Sequence, residues 1–165
     1  MSPAPKADEE TNGPEAASLC LVCSPGGHFM QLHSLGDVWR RGRRLWVTLP
    51  AADTEVLLKN ETVVWAFGPT NRNVPNLLRN LRLAFSTLRK ERPDAVVSTG
   101  AGVSVPFVWA ARLLGIRTIF IEDLTRVSGL SLSGKLVYRV ADVFLVQWPE
   151  LAARYRRAQY RGRFL

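Results

Sequence analysis

The strongest constraint on the fold of this chain is an alternation of short apolar runs with helical patterns. Six apolar runs predict strands at Ser18–Cys23, Arg44–Thr48, Val63–Ala66, Asp94–Ser98, Thr118–Ile121 and Val143–Val146. The segments between and after them predict helices at about His28–Arg41, Asp53–Leu58, Pro75–Arg92, Val103–Leu114, Ser133–Val140 and Glu150–Ala158. Such alternation, with strands apolar on both faces, is typical of a parallel sheet covered by helices on both sides. We therefore predict a Rossmann-like α/β domain.

The length and composition of the chain indicate a single domain of this kind. It has 165 residues, of which 47% are apolar and 22% charged, as in globular proteins. Residues 1–17 are polar and predict a disordered tail rather than a signal peptide, so the domain is predicted over 18–158. The longest apolar stretch, Val103 to Ile116, is interrupted by Arg112 and is shorter than the ~20 residues that cross a bilayer. We expect a cytoplasmic protein.

The charge of the chain indicates an anionic partner. The formal net charge is +8 and the isoelectric point is near 10.3. These values fit a nucleic acid, a phosphate-bearing substrate or an acidic membrane surface equally well. The sequence has neither aromatic stacking platforms nor a dinucleotide-binding fingerprint, which argues against nucleic acid and against an unrelated nucleotide-binding enzyme.

The two cysteines, Cys20 and Cys23, have the spacing of a redox pair but lie within an apolar run that predicts a strand. A redox pair normally begins a helix, whose N-terminus lowers the thiol pKa. We therefore predict two buried thiols. The sequence also contains no cluster of histidine, cysteine or carboxylate ligands, so we expect neither a metal nor another cofactor.

Candidate functional residues follow the first strand, because ligands of parallel sheets bind at the carboxyl ends of the strands. Gly26 and Gly27 stand where a strand turns into a helix, which allows backbone amides to approach an anion at the helix N-terminus. A purely structural glycine turn is the alternative. His28 follows directly and would project into the cleft, where an imidazole can take a proton from a hydroxyl at neutral pH.

Polar residues also follow the third and fourth strands. Asn71 and Arg72 come after the third strand. Gly100 and Gly102 come after the fourth and precede Ser104, whose hydroxyl could donate to a diphosphate oxygen. Close packing of helix on strand is the alternative explanation for these glycines. Two such loops at neighbouring strand ends make an anion site more plausible than either loop alone.

Glu122 and Arg126 follow the fifth strand. A carboxylate can accept a hydrogen bond from a sugar hydroxyl, and a guanidinium can grip a phosphate group. An ion pair within the segment explains the same two residues equally well.

The helix predicted from Pro75 is amphipathic. Its apolar face is formed by Leu77, Leu78, Leu81, Phe85 and Leu88. Its basic face is formed by Arg79, Arg82, Arg89 and Lys90, with Leu83 among them. A basic face that includes a leucine can rest on anionic lipid headgroups. A solvated outer face is the alternative.

Taken together, these motifs resemble those of a known family. They are Pro25–His28, Pro69–Asn73, Ser98–Val103, Glu122 with Arg126, Leu132–Leu136 and Asp142–Trp148. Their order and content resemble the bacterial PssD-type exopolysaccharide proteins. Those in turn are similar to the membrane-recruiting subunit of the eukaryotic enzyme that adds the second N-acetylglucosamine to dolichol diphosphate. The resemblance runs from about Leu19 to Leu151.

The resemblance implies a GT-B glycosyltransferase split over two chains, with this chain as the acceptor-facing N-terminal half. A partner subunit would bind the UDP-sugar, and the sugar would pass with inversion to a polyprenyl-diphosphate-linked saccharide without a metal. His28 would be the base or an acceptor ligand, and Glu122 a second catalytic residue. The diphosphate site would be shaped by Gly26, Gly27, Gly100 and Gly102, and Arg126 or Arg72 would neutralise the diphosphate charge. Residues 159–165 would dock the partner, or else form a frayed basic tail.

Two departures from the family follow. The eukaryotic subunit has an N-terminal membrane anchor, whereas residues 1–17 here are polar, so attachment to the inner face of the membrane would be peripheral. Asp123 stands where eukaryotic relatives usually have serine and bacterial ones often an apolar residue. A competing hypothesis is a non-catalytic scaffold that only anchors and activates the donor-binding partner.

Overall fold

A computed structural model describes residues 16–163 of the chain. Within this range the strands are β1 (Leu19–Val22), β2 (Arg44–Thr48), β3 (Val63–Trp65), β4 (Ala95–Ser98), β5 (Arg117–Ile121), β6 (Val143–Val146) and β7 (Ala158–Tyr160). The helices are α1 (Gly27–Ser34), α2 (Gly36–Trp39), α3 (Ala52–Leu57), α4 (Val74–Glu91), α5 (Ser104–Leu113), α6 (Leu132–Val137) and α7 (Pro149–Arg154). The predicted tail lies almost wholly outside the described residues.

The strands form one parallel sheet in the order β3-β2-β1-β4-β5-β6-β7. The predicted fold class is therefore confirmed. The chain builds outward from β1 to β3, crosses back through α4, and then builds outward in the other direction from β4. The order of strands reverses between β1 and β4, and ligands of doubly wound sheets bind in the crevice at such a point.

The C-terminal end of the domain differs from the sequence prediction. The helix predicted to run to Ala158 ends at Arg154, and residues 158–160 form β7, which was not predicted. Of these three residues only Ala158 is buried, so the segment has too short an apolar run to be recognised as a strand. The predicted boundary between domain and docking segment falls within this strand, while residues 164 and 165 lie outside the described part.

Apolar side chains cover both faces of the sheet. On one face α1–α3 pack with the first strands around an aromatic cluster of Phe29, Trp39 and Trp46. On the other face α4 and α5 cover the centre of the sheet, and α6 and α7 cover β5–β7 around Phe120 and Phe144. Burial of this two-sided core stabilises the domain and fixes the loops at the carboxyl ends of the strands.

Helix α4 buries only part of the apolar face predicted for it. Its buried residues are Asn76, Asn80, Ala84, Thr87 and Leu88, with Leu81 and Phe85 partly buried against the core. Asn80 donates to the carbonyl of Phe67 and accepts from its amide, and Asn76 donates to the carbonyl of Pro69. Buried backbone groups of the β3–α4 loop need such partners, so polar residues turn inward. Leu77 and Leu78 are 39% and 56% exposed as a result.

The two cysteines are buried free thiols, as predicted. Burial, with a smaller contribution from the charge of Glu91, raises the pKa of Cys20 to about 12. Burial likewise raises the pKa of Cys23. Because the thiolate is the reactive form, neither thiol is suited to redox exchange at neutral pH.

Among residues 16–163, none of the helices combines the length and the apolar composition that crossing a bilayer requires.

Candidate active site

A cleft of about 490 Å³ lies at the carboxyl ends of the strands, beside the point where the strand order reverses. Three loops, the start of α1 and residues of α4, α5 and α6 form its walls. The polar part of its lining includes His28, Asn71, Arg72, Asp123, Arg126 and Ser133. The apolar part includes Val74, Leu77, Val105, Leu132 and Leu136. The cleft therefore has the chemistry of a site for an amphipathic ligand with a polar, anionic end.

The imidazole of His28 is held in one orientation at the edge of the cleft. Its Nδ1 lies 2.8 Å from the carbonyl oxygen of Thr99, and the Thr99 hydroxyl donates to the His28 carbonyl at 2.7 Å. A carbonyl only accepts, so Nδ1 carries the proton of the neutral ring. Nε2 then keeps its lone pair and has no hydrogen-bond partner among the described residues. His28 is thus prepared to accept a proton from a ligand in the cleft.

Asp123 stands beside His28, with its Oδ2 3.5 Å from Nδ1. Its Oδ1 accepts from the amide of Thr125 at 2.7 Å. Partial burial alone would raise the pKa of Asp123, but the hydrogen bonds from Thr125 and the charges of His28 and Arg126 outweigh it and lower the pKa. The carboxyl is therefore ionised at neutral pH, and a negative charge adjoins the histidine.

Glu122, predicted as catalytic, is buried beneath the cleft and does not line it. Its carboxylate accepts from the amides of Ser131 and Asp123, each at 3.1 Å. Burial raises the pKa of Glu122, although hydrogen bonds from Ser131 and the Asp123 amide and the charge of Arg126 oppose the change. The side chain ties both ends of the β5–α6 loop together. In this position it shapes the loop and is not among the side chains that line the cleft.

The predicted anion site at the first glycine loop already holds a carboxylate of the protein. The amide of Gly26 donates to Oδ2 of Asp53 at 2.7 Å. A second anion at this amide would meet the negative charge of Asp53. Gly26, with a φ of 78°, thus serves the turn into α1, and Gly27 faces a smaller groove on the other side of Asp123.

The glycines after β4 allow close approach of neighbouring groups. Gly100, with a φ of 110°, packs against the His28 ring, and an added Cβ would lie 3.4 Å from Nδ1. An added Cβ at Gly102 would lie 2.6 Å from the carbonyl oxygen of Thr70. Ser104 is fully buried, donates to the Gly100 carbonyl and bonds to the Ser98 hydroxyl. Its hydroxyl is therefore committed within the loop and does not face the cleft.

The cationic side of the cleft comes from two loops and one helix. Arg72 follows β3 and Arg126 follows β5, and both are exposed and line the cleft. The N-terminus of α5 reaches the same space through Ala101 and Gly102. The positive end of a helix dipole and two guanidinium groups favour an anion such as a diphosphate.

Exposed apolar side chains on α4, α5 and α6 extend the apolar side of the cleft outward. We call this surface the apolar strip; it consists of Leu77, Leu78, Trp109, Leu113, Leu132 and Leu136. The three helices pack in sequence, and the Trp109 indole donates to the Leu136 carbonyl. Arg82 follows Leu78 by one turn of α4, and Arg89 lies 5.4 Å from the ring of Phe85. The strip therefore has a cationic margin.

The sequence profile of the family described as "Oligosaccharide biosynthesis protein Alg14 like" matches residues 69–164, more than half of the chain. This chain belongs to the Alg14-like family. The match confirms the resemblance found in the motifs, and it contains the loops that bear Arg72, Gly102 and Asp123.

Two relatives illustrate the extent of the likeness within the Alg14-like family. The chain is 42% identical over 101 residues to "UDP-N-acetylglucosamine transferase subunit ALG14" of Eremothecium gossypii, which covers 54% of this chain and 45% of that protein. It is 37% identical over 94 residues to the human protein of the same name, covering 53% and 44%. The matches thus span less than half the length of these relatives.

Solved structures with the same fold include two larger proteins. MurG of Acinetobacter baumannii has a TM-score of 0.68 and 20% identity, over 81% of this chain and 42% of that chain. UDP-N-acetylglucosamine 2-epimerase of Rickettsia bellii has a TM-score of 0.69 and 15% identity, over 91% and 46%. At these identities the likeness establishes the fold, and this domain corresponds in extent to somewhat less than half of either protein.

The structure thus brings five of the predicted site residues to one cleft: His28, Asn71, Arg72, Gly102 and Arg126. Gly100 supports the ring of His28 from behind. Asp123 was not predicted, although its position directly after a strand and next to Glu122 was a signal that could have suggested it. The apolar lining from α6 had no such signal, since it depends on how that helix packs beside α4 and α5.

Proposed function

We propose that this Alg14-like chain is the acceptor-binding and membrane-recruiting subunit of a two-chain inverting glycosyltransferase. The reaction would move a sugar from a UDP-sugar to a polyprenyl-diphosphate-linked saccharide. The observation that carries the proposal is the composition of the cleft. A histidine with a free Nε2, two arginines and an apolar lining meet within one space.

The diphosphate of the acceptor would lie on the cationic side of the cleft, between Arg72 and Arg126 and near the N-terminus of α5. Charge-assisted hydrogen bonds from guanidinium groups contribute about 1.5–3 kcal/mol each. The first units of the polyprenyl chain would follow the apolar lining toward the apolar strip. The saccharide hydroxyl would then face His28.

In the proposed reaction, Nε2 of His28 takes the proton of the attacking acceptor hydroxyl. The hydroxyl oxygen forms a bond to the anomeric carbon of the donor sugar from the face opposite the leaving group. The bond from that carbon to the UDP oxygen breaks, and UDP leaves with the electron pair. Configuration inverts because a single displacement occurs, and the proton remains on the imidazole until it passes to solvent.

The donor would come from a partner subunit. One Rossmann-like sheet is present in the described residues, and it matches less than half of MurG. We propose that the remaining part of such a fold comes from another chain. A donor-binding chain that closes over His28 would therefore complete the site.

The docking element for that partner would be residues 159–165. Residues 159 and 160 belong to β7, an edge strand whose outer side has no partner strand in the described part of the chain. Tyr160 is 41% exposed there, and Arg163 lies 4.1 Å from the ring of Trp148. Edge strands and exposed aromatic residues are common in interfaces.

The apolar strip would rest on the inner face of the membrane. Its leucines and Trp109 would enter the headgroup region, while Arg82 and Arg89 at its margin would attract anionic lipid. The net charge of +8 acts in the same direction. This orientation places the mouth of the cleft at the membrane surface, where a lipid-linked acceptor is available.

The test of the catalytic proposal is sugar transfer by the complex of this chain with its partner, measured with wild type and His28→Gln. Loss of a general base lowers kcat by about 100- to 10,000-fold. Arg117→Ala, an exposed residue at the opposite end of the sheet, is the control and should retain activity. If His28→Gln assembles and transfers sugar at the wild-type rate, the chain is a scaffold and not a catalytic subunit.

The membrane proposal is tested by flotation with vesicles of phosphatidylcholine and phosphatidylserine. Each cation near an anionic surface contributes ~1 kcal/mol, so Arg82→Ala with Arg89→Ala should weaken binding about 30-fold. The control is Arg41→Ala with Lys59→Ala, which removes two charges near α2 and α3 on the other face of the sheet. Equal loss in the two double variants would refute binding through the apolar strip.

A further inference from the structure

The carboxylate of Asp123 lies beside the His28 ring and exchanges no proton in the proposed reaction. Its Oδ2 lies 3.5 Å from Nδ1 of His28, on the protonated side of the ring. The Nδ1 proton is directed to the Thr99 carbonyl at 2.8 Å, so Asp123 is a neighbouring charge and not the main acceptor. It therefore acts on the charge of the ring more than on its tautomer.

We propose that Asp123 is a positioning residue that keeps the His28 ring in place and stabilises the positive charge gained when Nε2 takes the acceptor's proton. This inference rests on the proposed function of the same cleft. The proton moves from the acceptor oxygen to Nε2, and no proton moves to Asp123. The carboxylate remains ionised throughout and balances the imidazolium.

Asp123 is itself fixed for this task. The amide of Thr125 donates to Oδ1, and the amide of Arg126 donates to the Asp123 carbonyl at 3.0 Å. Its own amide donates to the buried carboxylate of Glu122. The side chains of His28 and Asp123 are 26% and 21% exposed, so water screens their interaction only in part. A rigid, partly buried charge is what stabilisation of a developing cation requires.

Other charged groups also surround the ring, and their effects must be separated from that of Asp123. Around His28 they are Arg72 from the β3–α4 loop, Arg126 and Glu122 from the β5–α6 segment, and Asp53 of α3 at the Gly26 amide. Arg72 and Arg126 oppose a positive ring, whereas Asp123 favours it. Among these groups only Asp123 forms an ion-pair contact with the ring within 4 Å.

The variant that isolates the charge is Asp123→Asn, since its amide oxygen can still accept from Thr125. The Oδ2 charge lies 3.5 Å from the ring that becomes positive in the proposed reaction, so its removal should raise the barrier to proton transfer. In the assembled complex we expect kcat to fall about tenfold with little change in the KM for the acceptor. Asp123→Glu should restore most of the lost kcat.

Nitrogen NMR of the full chain follows the His28 ring without any need for transfer. Asp123→Asn should change the chemical shift of the protonated Nδ1 of that ring, while Asp37→Asn, at an exposed position of α2, should leave it unchanged. An unchanged Nδ1 signal in Asp123→Asn would overturn the inference even if transfer depends on His28. A changed Nδ1 signal in a complex that transfers no sugar would overturn the proposed function and leave the pairing of Asp123 with His28 in place.

Discussion

Substitution of Gly102 by alanine tests the close approach of two loops around the cleft. A Cβ at this position would lie 2.6 Å from the carbonyl oxygen of Thr70 and 3.0 Å from its Cβ. An ordinary contact begins near 3.4 Å, so the β3–α4 loop must move by about 0.8 Å. The obstacle is backbone and cannot rotate away. Because Asn76 and Asn80 hold the loop by hydrogen bonds to its backbone, the movement strains those hydrogen bonds.

Overpacking of this kind costs about 1–3 kcal/mol. For a chain of 165 residues, 2 kcal/mol corresponds to a decrease in Tm of about 4–8 °C. The assay is thermal unfolding followed by circular dichroism. Gly129→Ala is the matched control, since its added Cβ would meet only the Tyr155 hydroxyl at 3.9 Å. We expect the control to melt within 1 °C of wild type.

The same displacement should also weaken acceptor binding, because Asn71 and Arg72 belong to the loop that must move. We expect the KM for the acceptor to rise severalfold with a smaller change in kcat. If Gly102→Ala has the Tm of wild type and the same KM for the acceptor, the two loops do not need this close approach and the steric reasoning is wrong.

Two further predictions concern the support of the cleft. Burial raises the pKa of Glu122, so its contribution to the free energy of unfolding is complete below pH 4.5 and is lost as pH rises through the raised pKa. In urea titrations, the difference in unfolding free energy between wild type and Glu122→Gln should therefore decrease as pH rises above 4.5. A difference that does not change with pH would contradict this. Asn80→Ala leaves the amide and carbonyl of Phe67 unpaired and should cost about 2–4 kcal/mol, whereas exposed Asn60→Ala should cost under 0.5 kcal/mol.

Most of the sheet could be predicted from sequence because its strands are continuous apolar runs. Six of the seven strands were predicted with ends within two residues of those observed. β7 was not predicted, since it has three residues and its stability comes from pairing with β6. The helix predicted over His28–Arg41 is in fact two helices that meet at Leu35, directly before Gly36.

The face of α4 could not be predicted from its apolar pattern. Asn76 and Asn80 are buried because their side chains satisfy backbone groups of the preceding loop, and this depends on the tertiary position of that loop. The same limitation applies to the site. Position after a strand identified His28, Arg72 and Arg126 correctly as cleft residues. It did not reveal that Glu122 is buried.

We expect this chain to bind the lipid-linked acceptor and its partner to bind the donor. Isothermal titration of the full chain with a short-chain prenyl diphosphate and, separately, with UDP-N-acetylglucosamine distinguishes the two. The prenyl diphosphate should bind, at least tenfold more weakly in Arg72→Ala or Arg126→Ala, and the UDP-sugar should not bind. Binding of UDP-N-acetylglucosamine by the isolated chain, with none of the prenyl diphosphate, would contradict this expectation.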